Sequence, residues 1–285
     1  MTTDPLPRAT GPQHLTDALR RSGTLVDGRV RGAVVESSRT TELSRIIRLR
    51  LTYEPAAADA PSSLILKTAR PDRIGGGWIG GRHEVGFYHQ VASAMSAVVA
   101  PRCFEAFYDV DTRDGYLLLE DLTDSHVIAT AWPLPPTMEQ CERILQARAR
   151  FHAAWWDDPR LGASVGTWTD VDATDRDLQA FAERFARFTD RMGDRLTRER
   201  RDLFERLLDA APRLLARYHS HRNVTIVHGD AHVWNTFLPR EGGGDVRLFD
   251  WDLWRIDCAS DDLAYMMAMH WYPDLRRRVE RPLCA

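Results

Sequence analysis

The sequence is almost without lysine. Lys+Arg total 38, yet Lys67 is the only lysine and every other basic residue is arginine. Cysteine is also scarce: Cys103, Cys141, Cys258 and Cys284 are scattered, with no C-x-x-C pair. That spacing argues against a disulfide framework or a zinc site and fits a reducing compartment. No apolar run approaches the roughly 18 residues that a membrane span needs. The opening "MTTDPLPRATGPQHL" lacks the basic-then-apolar layout of a signal peptide. The expectation is a soluble, cytoplasmic protein with no membrane partner. A net charge of −3 without a separate basic block gives no electrostatic case for nucleic acid. "RRR" at 276–278 reads as a solvated helix face. No internal repeat or low-complexity tract is present.

At 285 residues, one large domain or two lobes of roughly 100 to 170 residues would each fit. "HLTDALRRSG" reads as a short opening helix ended by Gly23. β-Branched, alternating segments follow: "RVRGAVVES", "LSRIIRLRLTY" and "SSLILKTA", linked by "SRTTE" and "EPAAADAPS". "RPDRIGGGWIGGR" is glycine-rich and reads as a mobile connection. In "HEVGFYHQVASAM", Glu84, Tyr88, Val91 and Met95 fall on one helical face. "CFEAFYDV" and "GYLLLEDL" are two more strand candidates.

From Pro133 the texture becomes helical. Thr137 and Gln140 form a capping box ahead of "CERILQARARFHAAWWDD". "DRDLQAFAERFARF" and "RERRDLFERLLDAAPRLLARYH" follow, the latter kinked at Pro212. "VTIVHGD", "NTFLPR" and "DVRLFDWD" read as short strands, the last two joined by an "EGGG" turn, and "DDLAYMMAMHWY" as a helix. A β-rich part followed by an α-rich part predicts a two-lobed α+β protein with its boundary near residues 120–134.

The densest polar cluster, "VHGDAHVWNTFLPREGGGDVRLFDWD", sets His228, Asp230, His232, Asn235, Asp250 and Asp252 among apolar residues. Buried carboxylates are costly unless paired or bound to a cation, so this density asks for a metal or a catalytic role. Asp230 and Asn235 have D-x-x-x-x-N spacing, and Asp250 follows the apolar "VRLF". That is the arrangement of a phosphoryl-transfer loop. One aspartate (Asp230) orients the acceptor hydroxyl and takes its proton; Asn235 and Asp250 hold magnesium against the nucleotide phosphates. Such chemistry also needs a cation on the phosphates. Lys67 stands at a strand end with Glu84 one loop later, able to pair with it. A compact ammonium suits that place better than a broad guanidinium.

"HGDAHVWN", "LFDWD" and "DDLAY", with Lys67 and Glu84, resemble the aminoglycoside phosphotransferase / choline kinase superfamily, over about residues 24–275. "LLLEDL" and "HEVGFYHQV" look closest to its ecdysteroid-kinase-like and bacterial small-molecule kinase branches. The resemblance implies a protein-kinase-like fold, with an antiparallel β N-lobe (1–120) that binds nucleotide and a mainly helical C-lobe (121–285) for catalysis and acceptor. It implies ATP and Mg2+ as cofactors, a small-molecule hydroxyl as acceptor, and adenine on the backbone near Glu120–Leu122. "SSRTTE" would cover the phosphates, without the glycines of protein kinases. Relatives of this kind usually continue well past the "DLAY" helix, so a chain stopping at "RRRVERPLCA" is expected to have a shortened acceptor region.

Other readings stay open at this stage. A metal-dependent hydrolase would use the His228/Asp230/His232 cluster, and a catalytically impaired kinase homologue would bind ATP without transfer. His228 is expected to pack beneath the loop and His232 to shape it. Asp252 serves either the metal shell or loop geometry. Asp262 braces the loop or caps its helix. His152 is a core histidine, and the tryptophans are core or pocket wall. The sequence leaves the acceptor and the oligomeric state undetermined.

Overall fold

The structure is a computed structural model describing residues 8–55, 57, 59–70, 81–132, 134–240 and 244–284. Pro133, most of the glycine-rich stretch after Arg70 and most of the "EGGG" turn lie outside the described residues. The chain forms two compact units. One comprises the residues up to Phe151, His228–Trp254 and the segment from Asp262 onward; the other comprises His152–Val227 and Arg255–Asp261.

The first unit opens with α1 (Pro12–Arg21), whose Leu15, Ala18 and Leu19 recur at helical spacing and are buried. Gly23 follows at φ +69°, a left-handed conformation that suits glycine and turns the chain toward the sheet. Strands β1 (Arg29–Thr40), β2 (Ser44–Glu54), β3 (Ser63–Ala69), β4 (Cys103–Tyr108) and β5 (Gly115–Glu120) form one antiparallel sheet in the order β1-β2-β3-β5-β4. Alternation decides which side chains meet α1. Ile47, Leu49 and Leu51 of β2, Leu64 and Leu66 of β3, and Leu118 of β5 share a core with Leu15 and Leu19. Each such side chain contributes about 1.5–3 kcal/mol on burial. Lys67 therefore points to the opposite face, and its cross-strand partner is Leu117. A one-residue slip of β3 would drive the ammonium into this core.

Helix α2 (Arg82–Gln90) buries Glu84, Val85, Phe87 and Tyr88. Val91 is also buried, but α2 ends before it, so only the front of the expected helix is regular. Strand β6 (His126–Ile128) follows, a pairing partner the alternation pattern did not reveal. Helix α3 (Met138–Ala154) starts at the expected capping box. The Thr137 N–H donates to Gln140 Oε1 at 2.8 Å, and the Gln140 N–H donates to Thr137 Oγ1 at 3.2 Å.

In the second unit, α4 (Val171–Met192) and α5 (Arg198–Leu215) start on side-chain caps from Asp170 and Thr197. Phe185 packs on Phe204 with ring centroids 4.9 Å apart. Pro212 lies inside α5, which stops three residues later, before α6 (Arg217–Ser220). Strand β7 (Thr225–Val227) pairs with β10 (Arg255–Asp257). His152 is buried there, as expected of a core histidine.

Back in the first unit, β8 (Thr236–Pro239) pairs with both β6 and β9 (Arg247–Leu248). The expected strand "DVRLFDWD" is thus only two residues long, because Asp250 adopts φ +68°, which a strand cannot continue through. "DDLAYMMAMHWY" also differs from a uniform helix. Helix α7 (Ser260–Ala264) gives way to a π-helical turn over Tyr265–Met269, and α8 (Pro273–Cys284) closes the described chain. Arg277 and Arg278 are exposed on α8. Among the described residues, Cys103, Cys141 and Cys258 are free thiols, and no helix is long and apolar enough to cross a membrane.

Candidate active site

Lys67 ends up between two carboxylates. Its Nζ lies 2.6 Å from Glu84 Oε2 and 2.6 Å from Asp250 Oδ1. Strand parity aims the lysine away from the α1 core, and α2 presents Glu84 to it. The turn after β9 supplies the third partner: the left-handed Asp250 sits above Trp251, whose indole stacks on Phe87 at 3.8 Å and 8°. The Trp251 N–H donates to Glu84 Oε1 at 3.3 Å, so one carboxylate holds both the lysine and this turn. His83 and Trp254 add a reciprocal tie: the Trp254 Nε1–H donates to the His83 carbonyl at 2.8 Å, and His83 Nε2 bonds the Trp254 carbonyl.

Asp252 joins this group. Oxygen atoms of Glu84, Asp250 and Asp252 lie within 4.8 Å of one another. Three carboxylates thus share one ammonium, and the electrostatics follow. Burial disfavours the Lys67 charge, but Glu84, Asp250 and Asp252 outweigh it and hold its pKa above the ordinary value. Burial pushes the Glu84 carboxyl up to about 7, against the pull of Lys67 and helped by Asp252 and Asp250. Asp252 is likewise raised, by burial first and Asp250 next. At Asp250 the nearness of Lys67 overcomes burial, and its pKa falls.

The second group forms on the turn after β7. Gly229 takes φ +79°, and the His228 and Gly229 N–H groups donate to the two Asp262 oxygens at 2.9 and 3.0 Å. Asp262 is fully buried and braces the turn, one of the two roles expected of it. His228 Nε2–H donates to the Phe249 carbonyl at 2.9 Å, while Nδ1 accepts from the Asp230 N–H at 3.3 Å. Those two bonds require the neutral ring. Burial, with Arg148 nearby, lowers its pKa to about 4. Both nitrogens are occupied, which leaves His228 no atom for a metal in the His228/Asp230/His232 cluster.

Asp230 accepts from Asn235 Nδ2 at 3.0 Å, and its own carbonyl accepts from the same amide at 3.1 Å. His232 Nε2 stands 3.4 Å from its carboxylate, and the Tyr265 hydroxyl donates to it. Burial would raise the Asp230 pKa, but these partners lower it to about 2. Asp230 is therefore held as an anion near neutral pH.

Glu120 and Leu122 stand at the end of β5. The Glu120 N–H donates to the Arg102 carbonyl at 2.8 Å, and its carboxylate accepts the Arg102 N–H at 3.1 Å. Leu122 is buried, and its carbonyl accepts from the Ser125 and His126 N–H groups at 3.2 and 2.9 Å. Arg48 secures this stretch, reaching Asp121 at 2.5 Å and Asp124 at 2.7 Å.

Several contributors escaped the sequence reading. Fully buried Arg148 donates to the Ala231 carbonyl at 2.9 Å and lies 3.7 Å from Asp262. An arginine on an otherwise apolar helix stripe was the available signal. Tyr265 and Arg48 carried none.

One compact unit thus joins a five-stranded antiparallel sheet, a lysine–glutamate pair and an aspartate–asparagine turn. The model of the phosphotransferase enzyme family matches residues 57–285, and the chain belongs to that family. A candidate aminoglycoside phosphotransferase of Ralstonia eutropha JMP134 shares the fold, with a TM-score of 0.53 at 14% identity over 91% of this chain and 70% of that one. An aminoglycoside phosphotransferase from Streptomyces rimosus, solved with ADP and streptomycin, aligns with a TM-score of 0.48 at 18% identity over 84% of this chain and 82% of its own. A choline/ethanolamine kinase family protein from Mesorhizobium loti gives 0.46 at 13% identity over 87% and 68%. No curated protein matches the chain in sequence.

Proposed function

We propose that the protein transfers the γ-phosphoryl group of ATP to a hydroxyl of a small molecule in a magnesium-dependent reaction. The observation that carries this reading is the single lysine held at 2.6 Å by both Glu84 and Asp250. An ammonium so placed meets the phosphates of a nucleotide as a point charge. Residues 1–120 would then hold the nucleotide through Lys67, Glu84 and the backbone at Glu120–Leu122, and residues 121–285 would carry catalysis and the acceptor. The donor set fits a hard cation, since Glu84, Asp250 and Asp252 offer carboxylate oxygens within 4.8 Å of one another, and Asn235 would add an amide oxygen. Bound magnesium would neutralise phosphate charge.

Asp230 accepts the hydrogen bond of the acceptor hydroxyl and fixes its direction of attack; His232, Asn235 and Tyr265 fix Asp230. The hydroxyl oxygen bonds to the γ-phosphorus as the bond to the bridging oxygen of ADP breaks. The hydroxyl proton passes by way of Asp230 to solvent. Catalysis is chiefly positioning and charge stabilisation.

The test is an ADP-release assay over metabolites and antibiotics, with nucleotide binding measured in parallel. Asp230→Ala should lose on the order of 10²–10⁴ in turnover while still binding ATP, and Lys67→Arg should lose most activity. Near-normal turnover by either variant would sink the mechanism. ATP binding with no transfer to any acceptor would instead mark a non-catalytic nucleotide binder.

A further inference from the structure

We infer that the acceptor is a neutral molecule with a flat apolar ring body, seated on an aromatic wall next to Asp230. The inference rests on the phosphotransferase reading above and names the substrate class of that site.

The turn that carries Asp230 also builds the wall. Residues Val233–Asn235 form a 3-10 turn, started by His232 and closed by the Asn235 N–H donating to the His232 carbonyl at 3.1 Å. Asp230 thereby contacts His232 and Asn235, while His232 and Trp234 line a cavity of about 470 Å³. Ile128, Thr130, Ala131 and Trp132, the segment from the end of β6, complete the lining. That volume is in the range that holds one drug-sized molecule. The 3.4 Å between His232 and Asp230 keeps the wall in touch with the reacting end.

Charge decides the class. Among the described residues none of the six lining side chains is a carboxylate, so beyond Asp230 at the reacting end the wall offers no counter-charge for the several ammonium groups of a polycation. A quaternary ammonium fares no better. Aromatic cages hold such a cation over separated ring faces, whereas the Trp132 and Trp234 centroids are 4.3 Å apart at 56°. The two indoles touch and meet at an angle, so each offers the cavity a single ring surface and no cage. His270 packs edge-on against Trp234 and His232, each at 5.5 Å, and stiffens the wall. Trp132 nonetheless remains 70% exposed. An exposed indole at a cavity mouth is apolar area waiting for a flat partner.

The experiment is calorimetric binding to the full chain, without nucleotide, of 2-naphthaleneethanol, choline and streptomycin. The naphthyl alcohol should bind saturably and more tightly than either cation, and Trp132→Ala should weaken it about tenfold or more. Ile128→Asp, which places a carboxylate at a surface position of the wall, should weaken the naphthyl alcohol and improve choline. Tighter binding of choline or streptomycin to the wild type would overturn the inference. So would the absence of saturable naphthyl-alcohol binding, or an unchanged Kd in Trp132→Ala with the fold verified by circular dichroism. Saturable binding that Trp132→Ala abolishes, with no ADP released from ATP and magnesium by any acceptor of the panel above, would leave the pocket assignment standing and sink the phosphotransferase reading.

Discussion

Around Lys67 three carboxylates share one ammonium, whereas around Asp230 several donors share one carboxylate. Both groups belong to the same compact unit and both are substantially buried, yet Glu84 and Asp252 of the first shift the opposite way from Asp230 of the second. Glu84 and Asp252 are pushed up because burial and like charge outweigh the single cation. Asp230 is pulled down because His232 and Tyr265 outweigh burial. The first group is short of positive charge, the condition of a site built to receive a cation. The second is already satisfied and stays anionic, the condition of a group that orients a hydroxyl. The two clusters thus differ in which charge is in excess, and that excess sets the direction in which their carboxylates shift.

The contrast breaks most severely at the brace of the Asp230 turn. Asp262→Asn replaces an oxygen that accepts a backbone N–H with an amide NH2, which can only donate, and leaves Arg148 without its buried counter-charge. A loss of about 3–5 kcal/mol is expected, read as a lower urea midpoint for unfolding. An unchanged midpoint would mean that the turn carrying Asp230 does not depend on this brace.

The next effect is on pH. His228 titrates at about 4 in the folded protein, against 6.5 as its ordinary value. Between those values the unfolded chain binds the extra proton and the folded one does not. Stability should therefore be full above about 6.5 and fall by up to about 3 kcal/mol as pH drops toward about 4. Urea midpoints across that window should slope for the wild type and flatten in His228→Gln. Equal slopes in the two proteins would assign the pH dependence elsewhere.

Smaller changes sharpen the comparison. Tyr265→Phe removes one donor from the satisfied group. It should cost about 1.5–3 kcal/mol in kcat/KM, the range for one hydrogen bond to a charged acceptor, with KM for ATP unchanged. A rise in the ATP KM alone would argue that Tyr265 serves the nucleotide. Asp252→Asn removes one carboxylate from the crowded group and should weaken magnesium activation about tenfold, or about 1.4 kcal/mol, with little effect on the unfolding midpoint. A magnesium titration of turnover would show it, and an unshifted titration would confine Asp252 to loop geometry.

Legibility in the sequence followed the range of the interactions. The strand around Lys67, the α1 stripe and the Thr137–Gln140 cap were readable because each depends on residues within one or two turns. The D-x-x-x-x-N spacing was readable because a short turn joins its two ends. The length of β9 was not, since the left-handed Asp250 ends it and aspartate tolerates both that conformation and an extended one. Strand β6 was missed because three residues carry too little alternation, and its existence depends on β8, more than a hundred residues later. Arg148, Tyr265 and Arg48 were missed for the same reason: their partners lie far along the chain.

The sequence by itself determined which residues have chemistry to offer and which face of the sheet must present Lys67. Parity is a local rule, and one lysine among so many arginines leaves no substitute. Only the tertiary structure decided how many partners each carboxylate has. That number comes from chain closure, which brings Asp262 to the His228 turn, Asp252 beside Glu84, and Trp132 against Trp234. Spacing along a chain does not encode such meetings, and the pKa values and the aromatic wall depend on them.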